Sequence, residues 1–128
     1  DPDKRKKLEQ ITHPKIRELF KSKLANAIKN ARSNQKKSLI LYIVPLLFES
    51  NNKYPELEKI IVVSAPPEEC IKRIMRRDGS DRQLAEKKFS SQLPISQKEK
   101  LADYVIMNDS SIDALNASVK KVFSELTK

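Results

Sequence analysis

The stretch SAPPEECIKRIMRRD, residues 64–78, decides the fold that we predict for this chain. It overlaps the end of the apolar run KIIVVSA, residues 59–65, which is typical of a buried strand. Two prolines end that strand, two glutamates stand at the start of the next segment, and arginines close it. Acids first and bases last suit the dipole of a helix. The stretch therefore predicts a strand, a tight turn and a helix.

Arg73 and Arg77 are four residues apart, so both point the same way on the predicted helix. Two guanidinium groups on one face can grip a phosphate chain, because each presents a planar fork of N–H donors. The alternative is a basic helix end that only faces solvent. We name Arg73 and Arg77 as catalytic candidates, since an arginine on a closing lid can speed phosphoryl transfer by ~10³–10⁵.

The chain has 128 residues, enough for one domain, and a net charge of +9. This charge favours anionic partners, such as nucleotides, phosphorylated metabolites or nucleic acid. Aromatic residues make up only 5% and there is no Trp, so stacking surfaces are scarce and no nucleic-acid partner is expected. Cys70 is the only cysteine and no apolar run is long enough to span a bilayer. We expect a cytoplasmic protein without a membrane partner.

Gly79 is the only glycine in the sequence. The phosphate loop G-x-x-x-x-G-K-[ST] and the dinucleotide fingerprint both need several glycines, so these residues contain neither. If these residues bind a nucleotide, they do so without the glycine-rich loop that usually holds its phosphates. His13 is likewise the only histidine, so no histidine-pair metal site is available and no metal ligand is predicted.

The remaining sequence alternates helices and strands. Apolar residues recur every three or four positions up to about Arg32, with Thr12 as the predicted helix cap and Pro14 in the first turn. After a polar loop at 33–37, the run SLILYIVPLLFES predicts a strand at 39–44 that is buried on both faces. Residues 51–58 are a predicted loop.

Beyond the single glycine, LAEKKFSSQ, residues 84–92, predicts a short helix that buries little apolar surface, as a mobile lid would. A helix at 96–102, a strand at 104–108 and a last amphipathic helix follow. The apolar face of that helix contains Ile112, Leu115, Val119, Val122, Phe123 and Leu126. This order predicts an α/β fold with parallel strands. Three strands are few for such a sheet, so part of the fold is expected to be missing.

Two further places could contact a ligand. His13 and Arg17 are four apart on one helix face, where they could touch an anionic substrate, although a histidine at a helix start also often bonds nearby backbone. Glu49 is the first charge after the predicted 39–44 strand, at the end where open α/β sheets bind ligands. Its alternative role is to cap a short helix.

Four segments together resemble the dephospho-CoA kinase family in order and spacing. They are LEQITHPKIR (8–17), IVPLLFES (43–50), VVSAPPEECIKRIMRRDG (62–79) and SSQLPISQKEKLADYVIMND (90–109). The resemblance implies a P-loop kinase fold, here present only in part, with a parallel sheet, flanking helices and a helical lid. It implies ATP-dependent phosphorylation of the ribose 3′-hydroxyl of dephospho-CoA to give coenzyme A.

The resemblance also implies a role for individual residues by position. Arg73 matches the arginine that contacts the transferring phosphate, and Arg77 the second arginine beside the lid. Asn108 matches a residue near the adenine of ATP. The segments that match the dephospho-CoA side contain His13, Pro14, Arg17, Leu46, Leu47 and Glu49.

By resemblance, the chain is the carboxyl-terminal part of one kinase domain. Residues 8–34 match the substrate-side helical region, 38–78 core strands and a helix, 79–94 the lid and 95–128 the rest of the core. The family's amino-terminal half holds the phosphate loop, the Mg²⁺ ligands and the general base. The 128 residues of this chain lack these parts, so on their own they are expected to be inactive.

The family's first strand lies between the strands that correspond to 39–44 and 60–65, so these two are not expected to pair directly. Either the other half belongs to the same longer protein, or a second copy pairs with the exposed strands as a homo-oligomer.

Two other functions fit the same sequence. A fragment of another nucleoside or nucleotide kinase would share the arginines but not the H-P and P-L-L-x-E segments. A basic, non-catalytic module that binds nucleic acid would use the net charge alone, and its binding would weaken with salt.

Overall fold

The computed structural model describes residues 1–33, 39–50 and 54–128. The chain divides into two compact units, Asp1–Tyr42 and Ile43–Lys128. The elements of the described residues are α1 (Pro2–Ser33), β1 (Ile61–Ser64), α2 (Pro67–Asp78), α3 (Arg82–Ser90), α4 (Ile95–Lys100), β2 (Tyr104–Met107) and α5 (Ile112–Leu126). The loops predicted at 33–37 and 51–58 lie partly outside the described residues.

Helix α1 is longer than the sequence pattern predicted. Its first turn is capped by Asp1, whose carboxylate accepts two backbone N–H groups, and not by Thr12. The Thr12 hydroxyl instead donates to the carbonyl of Leu8 at 2.9 Å, inside the helix. Pro14 also lies inside the helix, where it removes one N–H donor without ending the helix. The predicted start was wrong, whereas the predicted end near Arg32 is confirmed.

Strands β1 and β2 form a parallel two-stranded sheet in which Ile61 lies opposite Tyr104. The strands predicted at 59–65 and 104–108 are therefore confirmed, each slightly shorter than predicted. Helix α4 packs against β1 and α5 packs against β2, so helices flank the sheet. This arrangement confirms the predicted α/β class with parallel strands.

The strand predicted at 39–44 is not a strand in the structure. Its apolar side chains are not buried, and Ile43 is 86% exposed. A strand needs a neighbouring backbone to bind its N–H and C=O groups, and the described sheet contains only β1 and β2. The apolar composition of residues 39–44 predicted that their side chains are buried. Burying them would require a further strand beside this segment. Direct pairing with β1, which would have contradicted the kinase topology, does not occur.

The helix that follows β1 has the predicted form. Helix α2 carries two glutamates in its first turn and two arginines in its last, and Gly79 ends it in the left-handed conformation with φ of 60°. The chain then turns into α3, whose cap Asp81 accepts the N–H of Leu84 at 2.7 Å. The short helix predicted at 84–92 is thus confirmed, and α4 confirms the one predicted at 96–102.

The core of the Ile43–Lys128 unit is small. Its buried apolar residues are Val62, Ala65, Ile71, Ala85, Ile106 and Val122. The last helix is confirmed, but only part of its predicted face is covered, because Ile112, Val119 and Phe123 are exposed. Two strands offer too narrow a surface for the whole stripe. No helix in the described part of the chain is both long and apolar enough to cross a membrane.

Candidate functional site

The Ile43–Lys128 unit contains a cleft of about 500 Å³ along the sheet. Six consecutive residues, 60–65, line it, so the cleft follows the backbone edge of β1 that β2 leaves unpaired. Val44 and Pro45 line the same cleft. The end of the 39–44 segment and β1 therefore line the same open space.

Positive side chains from three helices line this cleft. Helix α2 contributes Arg73 and Arg77, α3 contributes Lys88, and α4 contributes Lys98. Asn108, which follows β2 directly, lines the cleft as well. The structure thus brings together three predicted polar site residues, and one predicted apolar site residue lines the cleft as well. Cations that converge in a cleft suit a polyphosphate.

Arg73 is held by two hydrogen bonds. Its Nε donates to Glu69 Oε1 at 2.9 Å, one helical turn earlier, and its Nη2 donates to the carbonyl of Asn108 at 3.0 Å. A guanidinium has five N–H donors, so three remain for a ligand. The predicted catalytic arginine and the predicted nucleotide-binding residue are therefore directly linked.

Arg77 is paired with the aspartate that follows it. Its Nε and Nη2 donate to the two carboxylate oxygens of Asp78 at 2.6 and 3.2 Å. Lys88 Nζ donates to the same carboxylate at 2.7 Å, which links α2 to α3. The hydrogen bonds from Arg77 and Lys88 hold the pKa of Asp78 well below its ordinary value. The side chain of Arg77 is 72% exposed, so it can exchange Asp78 for a phosphate.

A second link joins the same two helices. Arg82 Nη1 and Nη2 donate to the two carboxylate oxygens of Glu68, each at 2.8 Å, and Arg82 Nε donates to Glu86 at 2.7 Å. Ala85 of α3 is fully buried. Two ion pairs, Arg82–Glu68 and Lys88–Asp78, therefore join the predicted lid helix to α2.

Glu49 lies in the same unit and is engaged by two groups. Its Oε1 accepts the N–H of Leu93 at 3.0 Å and forms an ion pair with Lys98 at 2.6 Å. Burial raises the pKa of Glu49, but the hydrogen bonds from Lys98 and Leu93 outweigh burial and leave the pKa below its ordinary value. Glu49 Oε2 is buried without a hydrogen-bond partner among the described residues. Leu47 lines the cleft, whereas Leu46 does not.

His13 and Arg17 belong to the other unit, Asp1–Tyr42. Both are exposed on α1, and they lie inside the helix and not at its start. Pro14 stands between them. Their contact with a substrate, like that of Leu46, Leu47 and Glu49, stays a prediction.

Several residues of the cleft and its surroundings were missed by the sequence reading. They are Ser64, Glu69, Lys88, Lys98 and Glu99. Lys98 and Glu99 stand in the charged run ISQKEK, which looks like a solvated helix face. Only the packing of α4 against β1 shows that they turn inward. Among these residues, only Ser64 had a signal in the sequence, because it is a polar residue near the end of an apolar strand.

The described residues do not fit a magnesium site. No three His, Cys, Asp or Glu side chains cluster suitably within residues 1–33, 39–50 and 54–128. The charged side chains that line the cleft are all cationic, whereas Mg²⁺ prefers carboxylate and other oxygen ligands.

Acid is expected to loosen the link between α2 and α3. The pKa values of Glu68 and Asp78 lie below their ordinary 4.5 and 3.8, because Arg82, and Arg77 with Lys88, stabilise the charged forms. A carboxylate with a depressed folded pKa contributes stability above its unfolded pKa and loses it as pH falls through the folded value. The urea midpoint should therefore stay level from pH 7 to about 5 and fall below that.

The Asp78→Asn variant is the control for this pH dependence. Its amide cannot ionise, so its urea midpoint should fall less steeply in acid than that of the unchanged chain. Parallel acid slopes for the two proteins would show that Asp78 does not contribute to the loss.

The fold and its cleft define the class of protein to which the chain belongs. Parallel strands with flanking helices, and arginines that converge beside the ends of those strands, are features of an α/β fold of the P-loop kinase type. A crystal structure from Thermus thermophilus matches the whole chain with a TM-score of 0.75 and 32% identity, over 62% of that structure. The dephospho-CoA kinase structure from Campylobacter jejuni matches 99% of the chain with a TM-score of 0.61 and 33% identity.

The family model described as dephospho-CoA kinase matches residues 1–114, and the chain belongs to that family. The dephospho-CoA kinase of Aquifex aeolicus is 37% identical over the whole chain. That of Syntrophotalea carbinolica is 36% identical over 98% of it. The chain spans 61% and 57% of the lengths of these two relatives. The resemblance noted from the sequence is therefore confirmed.

Proposed function

We propose that these residues are the carboxyl-terminal part of an enzyme that transfers the γ-phosphoryl group of ATP to the ribose 3′-hydroxyl of dephospho-CoA. Family membership supports the reaction. The observation that carries the proposal is the convergence of Arg73, Arg77, Lys88 and Asn108 in one cleft. Several cations in a cleft recognise a polyphosphate, and an amide beside them suits a nucleotide base.

In this proposal Arg73 contacts the transferring phosphate. Negative charge lies on the outer oxygens of that group during transfer, and a guanidinium fixed beside them stabilises the transition state. Three N–H donors of Arg73 remain for this contact. When the polyphosphate binds, Arg77 breaks its ion pair with Asp78 and contacts the phosphates as well. Asn108 lies near the adenine of ATP.

We also propose contacts with dephospho-CoA in each unit taken by itself. They are Leu46, Leu47 and Glu49 after the 39–44 segment, and His13 and Arg17 on α1. Glu49 Oε2 is buried without a hydrogen-bond partner among the described residues, so it would accept a donor from the substrate once it is exposed. The positive charge of Arg17 suits the phosphates of the substrate.

The unpaired edge of β1 supports the proposed place of the remaining part of the enzyme. A strand adjacent to β1 would lie about 4.8 Å from it and would occupy the cleft between β1 and Val44. We assign this place to the first strand of the family's amino-terminal half, which also supplies the phosphate loop and the Mg²⁺ ligands. A second copy of the chain on the same edge is the alternative. We place the enzyme in the cytoplasm, without nucleic-acid or membrane partners.

A transfer assay with the full-length protein tests the function. Radioactive phosphate from ATP should appear on dephospho-CoA at the 3′ position, and the rate with AMP as acceptor should be far lower. Faster transfer to AMP would indicate another nucleotide kinase. Absence of transfer to either acceptor, together with binding to RNA or DNA that weakens steeply with salt, would indicate a nucleic-acid-binding module.

A further inference from the structure

A continuous chain of hydrogen bonds crosses the carboxyl ends of both strands. The Ser64 hydroxyl donates to Glu99 Oε1 on α4, and the Ser64 carbonyl accepts the N–H of Asn108 at 2.7 Å. The Asn108 carbonyl accepts Nη2 of Arg73, and Nε of Arg73 donates to Glu69. Five residues thus connect α4, β1, the end of β2 and α2.

We propose that Glu69 is a positioning residue, which fixes the guanidinium of Arg73 at a set distance from Asn108. The inference rests on the roles proposed above for Arg73 and Asn108. Glu69 does not itself line the cleft, so its influence on the reaction is exerted through Arg73.

The geometry explains why Arg73 needs this support. An arginine has several rotatable bonds, and a single hydrogen bond to the Asn108 carbonyl leaves its fork free to turn. The Glu69 carboxylate fixes Nε at 2.9 Å from one helical turn away, so the two contacts together define the plane of the guanidinium. The N–H groups that remain are on the Nη atoms, the end of the fork that binds phosphate.

Asn108 is a firm reference point for this arrangement. Its own N–H is bonded to the Ser64 carbonyl at the end of β1, and Ser64 is 2% exposed. The carbonyl that accepts from Arg73 is therefore set by the pairing of the two strands. Because transfer depends on alignment of the reacting groups, a loosened Arg73 should slow the reaction more than it weakens binding.

Kinetics of Glu69 variants in the full-length enzyme test the inference. We expect Glu69→Ala to lower kcat for dephospho-CoA by about 10-fold to 100-fold, with its KM nearly unchanged. Glu69→Gln should recover most of kcat, because its amide oxygen still accepts from Nε. Glu125→Ala, on the exposed surface of α5, is the control for loss of an unrelated carboxylate.

A double-mutant cycle separates positioning from a merely structural role. If Glu69 acts through Arg73, Glu69→Ala should have no further effect on kcat in an Arg73→Ala background. An additional loss in that background, an equal loss in Glu69→Gln and Glu69→Ala, or an unchanged kcat in Glu69→Ala would each overturn the inference.

A spectroscopic measurement keeps this inference separable from the proposed function. In ¹⁵N NMR spectra of the full-length enzyme, the Arg73 Nε–H should exchange slowly with solvent in the unchanged protein and in Glu69→Gln, and rapidly in Glu69→Ala. Equal exchange rates in all three would overturn the inference whatever the assay gives. Absence of phosphoryl transfer by the unchanged enzyme, with the exchange pattern as expected, would instead overturn the proposed function alone.

Discussion

The Arg73→Ala variant of the full-length enzyme is expected to lose ~10³-fold or more of its kcat for phosphorylation of dephospho-CoA. The substitution removes a cleft guanidinium that is fixed by contacts on two sides, to Glu69 and to the Asn108 carbonyl. Charge on the transferring group would then lack its fixed partner in the transition state. Steady-state kinetics with ATP and dephospho-CoA measure the loss directly.

Two further variants show whether the effect belongs to this guanidinium. Arg76→Ala removes an arginine from the same helix that is exposed and does not line the cleft, so kcat should change less than about 2-fold, as for other exposed surface sites. Arg73→Lys should recover only part of the rate, because an ammonium lacks the planar fork. If Arg73→Ala turned over dephospho-CoA at the normal rate, the mechanism assigned to this cleft would fall.

The second large effect concerns stability, and we expect it from Lys98→Met. The side chains of Lys98 and Glu49 are only 12% and 19% exposed, so the substitution leaves a largely buried carboxylate without its cation. Loss of one partner of a buried pair costs about 3 kcal/mol or more of unfolding free energy. Methionine keeps the length and the apolar body of the side chain, so little packing is lost. Urea unfolding of the full-length enzyme measures the change.

The matched control is an ion pair of similar length at the surface. Lys59 and Asp103 are 2.9 Å apart, but their side chains are 53% and 35% exposed. Lys59→Met should therefore lower the free energy of unfolding much less than Lys98→Met does. If the two substitutions lowered the free energy of unfolding equally, burial would not be what strengthens the Glu49–Lys98 pair.

The parts of the fold that the sequence predicted correctly are those with local signals. Prolines, paired glutamates and a single glycine bound α2 on both sides, so its limits follow from neighbouring residues alone. The prediction of a strand at 39–44 was wrong for the opposite reason. Its apolar residues are compatible with a buried strand, but burial depends on a partner backbone that the described residues do not supply.

The residues in and around the cleft also fall into a group that the sequence predicted and a group that it did not. The spacing of Arg73 and Arg77 predicted that they share one helix face, whereas Asn108 was predicted only by the family resemblance. The contact of Lys98 with Glu49 joins residues far apart in sequence, and no local pattern distinguishes Lys98 from the exposed lysines beside it. Glu69 is a similar case, because a glutamate four residues before an arginine usually marks only a surface pair.

The connection between β1 and β2 has a consequence for the order of folding. All of α2, α3 and α4 lie between these two paired strands, so the ribosome must complete the three helices before the strands can meet. Contacts so distant along the chain form slowly, because the loop between them must close first. The hydrogen bond between Arg73 and Asn108 should therefore be among the last to appear in the newly made protein, after its helices have begun to form.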